Sequence, residues 1–267
     1  MSFSLVTAPN GVVFLRSSLI GCPHGFAARL GGVSTQPHTS ALNLAFGRGD
    51  EDAVVLENLR RFSDAVGIAP ESVISLPQIH SRIVIDADES MGGEGYFRQT
   101  DRSCDGYVTD RPDITLGVKT ADCVPILFHD PEAGVIGAVH AGWRGTAADI
   151  VGVCIDKMCA KGAHPDSIRA AIGAAIHFCC YEVGGDFYES VCKLAGSELA
   201  KRFIRRTESG QLHADIVGMN EHLLLSHGLS KEHIDKSDFC TCCHPELFYS
   251  HRFSHGVRGT MLSVIAL

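Results

Sequence analysis

The stretch 120–145, TADCVPILFHDPEAGVIGAVHAGWRG, sets two apolar runs on either side of a turn-like DPEAG. Val, Ile and Phe in runs of this length, joined by Asp, Pro and Gly, spell a β-hairpin placed in a core. Its strands are predicted over 124–128 and 135–140. Near the outer ends sit Cys123 and His140, where packing alone would accept Val or Ile. A turn centred near Pro131-Glu132 would set these two opposite each other, with Cβ atoms roughly 4.5–5.5 Å apart. That spacing suits a shared metal ion, given Zn–S of about 2.3 Å and Zn–N of about 2.0 Å. It equally suits a Cys–His hydrogen bond for nucleophilic catalysis. A register slip of one residue would send them to opposite faces, leaving a packed thiol and a satisfied strand-end histidine.

The surroundings of the pair carry more chemistry. His140 opens HAGWRG, in which Gly142 and Gly145 bracket a tight exit into a helix and Trp143 and Arg144 stand alongside. A helix N-terminus behind a glycine-bearing turn favours anions. His80, in LPQIHSRIV, begins another strand and is a third candidate ligand. Two His and one Cys leave one coordination position open, the pattern of a catalytic zinc site rather than a closed structural one.

The 267 residues, 45% apolar and 20% charged, fit one mixed α/β domain over 1–267. No stretch is free of Gly, Pro and charge for long enough to span a bilayer. The opening MSFSLVTAPNGVVFLRSS has no basic n-region and is broken by Pro9-Asn10-Gly11, so it does not read as a signal peptide. A net charge of −8 disfavours nucleic acid and membrane surfaces as partners, while leaving room for a small anion held by local arginines. Eleven cysteines, an odd number without an export signal, fit reduced thiols in a cytoplasm.

Periodicity predicts a helix over 52–66, capped by Asp50 or Asp52, with Leu56, Leu59, Phe62 and Val66 on one face and Gly67 as its stop. Further helices are predicted from 146 to just before Gly162, over 186–203 and over 215–227. Further strands are predicted at 83–85, 106–109, 116–118 and 261–267. Residues 88–98, DESMGGEGYFR, read as an exposed loop or a flap over a site.

Eight stretches are similar in order and content to one family: HGFAARLGGVST, SALNLAFGRGDED, LPQIHS, DGYVTD, TADCVPILFHD, AVHAGWRGT, CCYEVG and CTCCHPELFYSHR. The chain resembles, over nearly its whole length, the laccase-domain, YfiH-type family, once called polyphenol oxidase and now described as purine nucleoside phosphorylase. The resemblance implies a layered α/β/β/α arrangement similar to Cys–His hydrolase folds. It implies a zinc site on His80, Cys123 and His140. It further implies a monomeric enzyme that phosphorolyses adenosine, inosine and methylthioadenosine, with adenosine deamination and peptidoglycan editing also associated. The chain departs from the family at Ala174, Ala175, His177 and Phe178, and at Thr260, where an Arg is common.

Phosphorolysis needs a held phosphate. Arg29, in AARLGG, is the first candidate for phosphate or sugar contact, because a guanidinium pairs bidentately with oxyanions. Asn43, between Leu42 and Leu44, offers hydrogen bonds, and Arg144 either joins the site or pins the turn after His140. Deamination would use a metal-bound hydroxide, yet the H-x-E of zinc deaminases is missing, with Gly at 142. No two histidines lie two positions apart, which argues against a multicopper cluster, although a single copper ion could replace zinc. Cys240-Thr241-Cys242-Cys243-His244 contains a C-x-x-C that lacks a second half unless Cys179-Cys180 supplies it in space. The simpler reading is packed reduced thiols, with His244 and Arg252 lining the site. The rival to a zinc phosphorylase is a metal-free hydrolase or deamidase with Cys123 as nucleophile and His140 as base.

Overall fold

In the computed structural model, which describes residues 3–267, the hairpin strands run Val124–Asp130 and Val135–Ala141, and every residue in both is buried. Pro125 pairs with His140 and Val124 with Ala141. The register is therefore two residues away from the expected one, and Cys123 lies just before its strand instead of opposite His140. The reason is the turn. Asp130 Oδ1 accepts from the backbone N–H of Glu132 (2.9 Å) and Ala133 (3.1 Å), and Gly134 takes φ 63°, which centres the reversal after Glu132. An even displacement leaves the alternation of faces intact, so Cys123 stays on the side of His140.

This hairpin is the middle of a six-stranded sheet ordered Ile234–Lys236, Arg169–Ile172, Val124–Asp130, Val135–Ala141, Gly106–Thr109, Val84–Asp86. A second six-stranded sheet runs Phe3–Thr7, Val13–Ser17, His24–Ala27, Met261–Ala266, Thr115–Thr120, Val73–Ile74. Their inner faces meet in one core, where Leu15, Phe26, Leu116 and Ile265 pack against Tyr107, Leu127, Ile136 and Ala171. On the outer face of the first sheet, Ile126, Phe128 and Val139 pack on helices Ile150–Ala160 and Ile216–Ser226. On the outer face of the second, Phe14, Leu262 and Val264 pack on helix Asp52–Val66. The result is a single mixed α/β domain layered α/β/β/α, and the double coverage explains why the hairpin strands are apolar throughout.

Helix Asp52–Val66 has the predicted bounds and stops at Gly67 in the left-handed region. Its N-cap is Glu51, without a side-chain cap. Asp50 is engaged elsewhere, accepting from Ser34, Thr39 and Asn43. The helix predicted from 146 is two helices, Trp143–Ala147 and Ile150–Ala160, parted at Asp149, which has φ 61° and caps Gly152 N. The first is too short to serve as an anion site of its own. The span 186–203 likewise breaks at Gly196 into Gly185–Ala195 and Ser197–Phe203. Residues 88–98 are partly exposed and partly packed: Asp88, Glu89, Ser90 and Arg98 face solvent, Met91, Glu94 and Tyr96 are buried, and Tyr96 Oη donates to Leu44 O (2.6 Å). Among the described residues no helix is long and apolar enough to cross a membrane.

Gly173, directly after Arg169–Ile172, tests the packing between the sheets. A Cβ there would lie 2.2 Å from Phe26 Cδ1, in the inter-sheet core. Gly173→Ala is expected to lower unfolding stability by about 1–3 kcal/mol in urea titration, with m unchanged. A neutral effect would mean the sheets are looser than described.

Candidate metal centre

His80, Cys123 and His140 converge. One ligand atom of each lies within 4.8 Å of the other two, and the two imidazoles meet edge to face at 4.8 Å. His140 comes from the second hairpin strand and Cys123 from the residue before the first. His80 comes from the loop leading into Val84–Asp86. Two backbone positions hold this arrangement. His80 takes φ 56° and Asp122, beside Cys123, takes φ 89°, both in the left-handed region that non-glycine residues rarely enter. Gly142 is required by proximity, since a Cβ there would stand 2.7 Å from His80 Nδ1.

The compensation for His80 is Asp105, fully buried at the head of strand Gly106–Thr109. Its carboxylate accepts from the backbone N–H of Ile79 (3.3 Å), His80 (3.0 Å) and Ser81 (2.6 Å) and from Ser81 Oγ (2.7 Å). It also bonds His140 Nδ1 at 2.8 Å, which leaves Nε2 free for the cluster. Burial alone would raise the Asp105 carboxyl, but the hydrogen bonds from His140 and Ser81 hold it below the ordinary value. Burial would likewise lower His140, yet the neighbouring Cys123 sulfur and the Asp105 carboxylate raise it to about 9. Burial and the adjacent His140 lower His80 against the pull of Asp105. Sequence reasoning misses Asp105, because an Asp before a strand carries no signal of its partners.

The three side chains lie on the wall of a cleft of about 1080 Å³. Arg48, Lys119, Arg252 and Arg258 line it too, so the cleft is cationic although the chain is acidic. Lys119 rests over the Tyr96 ring at 4.3 Å and donates to Ser75 O, and burial lowers it to about 8. Burial and the nearby Arg48 hold Arg258 below the ordinary arginine value. Arg258 donates to Thr260 Oγ1 at 2.8 Å, so a guanidinium stands beside the position where the resemblance expects one.

Of the other sequence candidates, only Arg252 lines this cleft. The Arg29 guanidinium is taken up by the carbonyls of Ser40 and Pro245 and lies over the Tyr249 ring. Asn43 is fully buried, holding Ala45 and Asp50 and accepting from Thr260 N. Asn43 thereby holds Ala45 and Thr260 of the cleft wall from behind, whereas none of the Arg29 side-chain partners lines the cleft. Arg144 stacks on Trp143 at 4.2 Å beside a smaller depression that shares Tyr181 and Arg252 with the cleft, and His244 pairs with Glu246 on the surface.

Two imidazoles and a thiolate suit zinc or copper, and the donor set by itself does not choose between them. The fit extends outward, because a ligating His commonly donates its other ring nitrogen to a carboxylate, as His140 does to Asp105. Asp105→Asn is expected to weaken metal binding by about 10–100-fold in chelator competition. Unchanged affinity would remove Asp105 from this role. The raised His140 gives a pH signature with a definite sign. Its proton is present below about 9 and a metal must displace it, so affinity should rise with pH up to that value. A flat profile between neutrality and about 9 would contradict the assignment.

Known proteins resemble the chain over nearly its whole length. A family model described as "Multi-copper polyphenol oxidoreductase laccase" matches residues 23–267. A purine nucleoside phosphorylase of Deinococcus radiodurans is 37% identical over 262 residues, covering 98% of this chain and 95% of the relative. Purine nucleoside phosphorylase YlmD of Bacillus subtilis is 33% identical, covering 91% and 87%. The crystal structure of YlmD from Geobacillus stearothermophilus superposes with a TM-score of 0.85 at 32% identity, covering 95% of each chain. Among the described residues only two groups of three or more metal-ligating side chains converge, one with two histidines and one with none. On the family model, the relatives and the shared architecture, the chain belongs to the laccase-domain, YfiH-type family.

Proposed function

We propose that the chain is a zinc-dependent purine nucleoside phosphorylase acting on adenosine, inosine and methylthioadenosine. The observation that carries this reading is the meeting of His80, Cys123 and His140 on the wall of a cation-lined cleft. Family membership supports an enzyme of this type, and the relatives' names supply the substrate class. In the reaction a phosphate oxygen forms a bond to the sugar C1′ as the glycosidic C–N bond breaks. The electron pair leaves on the purine, which takes up a solvent proton.

His80, Cys123 and His140 would hold the zinc, which when bound supplies a Lewis acid for the phosphate. Arg48, Arg258 and Lys119 relieve the charge on that phosphate, taking the part the sequence offered to Arg29. Asn43 acts by positioning, through its bond to Thr260, while Arg29 is engaged by the carbonyls of Ser40 and Pro245. Lys119 makes the site pH-sensitive. Its cation is present below about 8 and lost above, so KM for phosphate should climb as pH passes that value. Lys119→Arg should remove the climb, and a climb that persists in this variant would exclude Lys119 from phosphate binding.

A second reading has its own observation. Cys123, His140 and Asp105 also stand in order as nucleophile, base and orienting carboxylate, with the Cys123 sulfur within 4.8 Å of a His140 ring nitrogen and Asp105 bonded to His140 Nδ1 at 2.8 Å. That is the constellation of a metal-free Cys–His hydrolase. Incubation with adenosine, with and without phosphate, separates the readings. Ribose 1-phosphate and adenine formed only with phosphate, and lost on zinc removal or in Cys123→Ala, is the expected result. Inosine alone would mean deamination. Full activity without metal, abolished by alkylation of Cys123, would mean the hydrolase.

A further inference from the structure

Away from the three-residue cluster, Cys179, Cys180, Cys240 and Cys243 bring their sulfur atoms within 4.8 Å of one another. Cys243 Sγ lies 3.5 Å from Cys179 Sγ and 3.3 Å from Cys180 Sγ. A disulfide needs about 2.05 Å. The edge of a tetrahedron with Zn–S bonds of about 2.3 Å is about 3.8 Å. The thiols are therefore spaced for a shared ion and not for one another.

We propose that these four cysteines form a second metal centre, a closed four-thiolate site that takes zinc and serves structure instead of turnover. The two halves come from distant segments, an adjacent pair and a C-x-x-C, which together supply the four ligands a closed zinc site requires. The backbone is already joined where they meet. Ala175 bridges to Cys240, Thr241 N donates to Ala175 O (2.9 Å), and His177 N donates to Cys240 Sγ (3.4 Å). An N–H directed at a ligating sulfur is the kind of support that tunes thiolate sites. Cys240 is buried while Cys179 and Cys243 are exposed, so an ion can enter from solvent. Cys242, in the same turn, lies outside the group.

The site has a structural task. Thr241 Oγ1 donates to Asp122 Oδ1 (2.6 Å) and Arg252 N to Asp122 Oδ2 (2.7 Å), while the Arg252 guanidinium donates to Cys180 O and Glu182 O. Closing the four thiolates on one ion fastens the segment carrying Tyr181 to the segment carrying Arg252. Both residues line the cleft, and Asp122 precedes Cys123. The inference does not depend on which reaction the cleft performs.

The test is metal analysis of the full chain purified under reducing conditions and reconstituted with Zn²⁺. About two zinc ions per chain are expected, falling to about one in Cys240→Ser/Cys243→Ser and to about one in His80→Ala, with no change in Cys242→Ser. Co²⁺ loaded into His80→Ala should give the strong thiolate-to-cobalt absorption of a four-sulfur site. Should the double variant fail to fold, alkylation mapping of the wild-type chain replaces it. Zinc should protect these four cysteines from iodoacetamide, and chelation should expose them. About one zinc per chain, lost in His80→Ala but kept in Cys240→Ser/Cys243→Ser, would overturn the proposal, as would zinc that protects none of the four.

Discussion

The candidate centre depends on one buried carboxylate. Asp105 receives three backbone N–H groups and a hydroxyl from the loop at 79–81, and on its other side it holds His140. Removing a charge of this kind from water is costly unless every lone pair is engaged. Here the groups that engage it are the ones that shape the site. They keep His80 in a left-handed conformation its side chain disfavours, and they fix which nitrogen of His140 faces the cluster. A single residue thus joins the loop, the strand Gly106–Thr109 and the hairpin into one rigid mount.

Asp122 plays a parallel part on the opposite side. Its positive φ turns the chain into the hairpin and presents Cys123, and its carboxylate ties down Thr241 and the backbone of Arg252. The cleft therefore has one wall set by the two-sheet frame and another set by segments from 176–184 and 240–252, joined through Asp122. A catalytic cavity between a rigid sheet and fastened loops is a common division of labour, because loops supply chemistry while regular elements fix position.

Much of the fold was legible because local and tertiary demands agree. Helix Asp52–Val66 buries Leu59, Phe62 and Val66 as its apolar spacing requires and stops at a glycine, and strand Gly106–Thr109 has the predicted bounds. The hairpin was visible from composition, but its register was not. Register turned on Asp130 accepting two N–H groups, a local bond that shifts the reversal by one residue and the pairing by two. Cys123 and His140 stay on one face despite that error only because the shift was even. The helix over 186–203 failed at Gly196, whose left-handed backbone ends one helix and opens another.

The site was legible in its reactive groups and opaque in its cations. An arginine in a sequence does not reveal whether its donors are free. Those of Arg29 are taken up by Ser40 and Pro245, while Arg48 and Arg258 come together only through folding. Asp105 and Asp122 were missed because their importance lies in what reaches them from distant segments. The two metal-type clusters likewise combine residues that only the fold makes neighbours.

The central claim is that His80, Cys123 and His140, mounted by Asp105, bind a catalytic zinc open to the cleft. The most direct test is anomalous scattering at the zinc edge from crystals of zinc-reconstituted protein that is active in phosphorolysis. The account predicts a peak about 2.0–2.3 Å from one atom of each of the three side chains. An active crystal form with no peak there, and with Cys123 in contact with His140 alone, would contradict it.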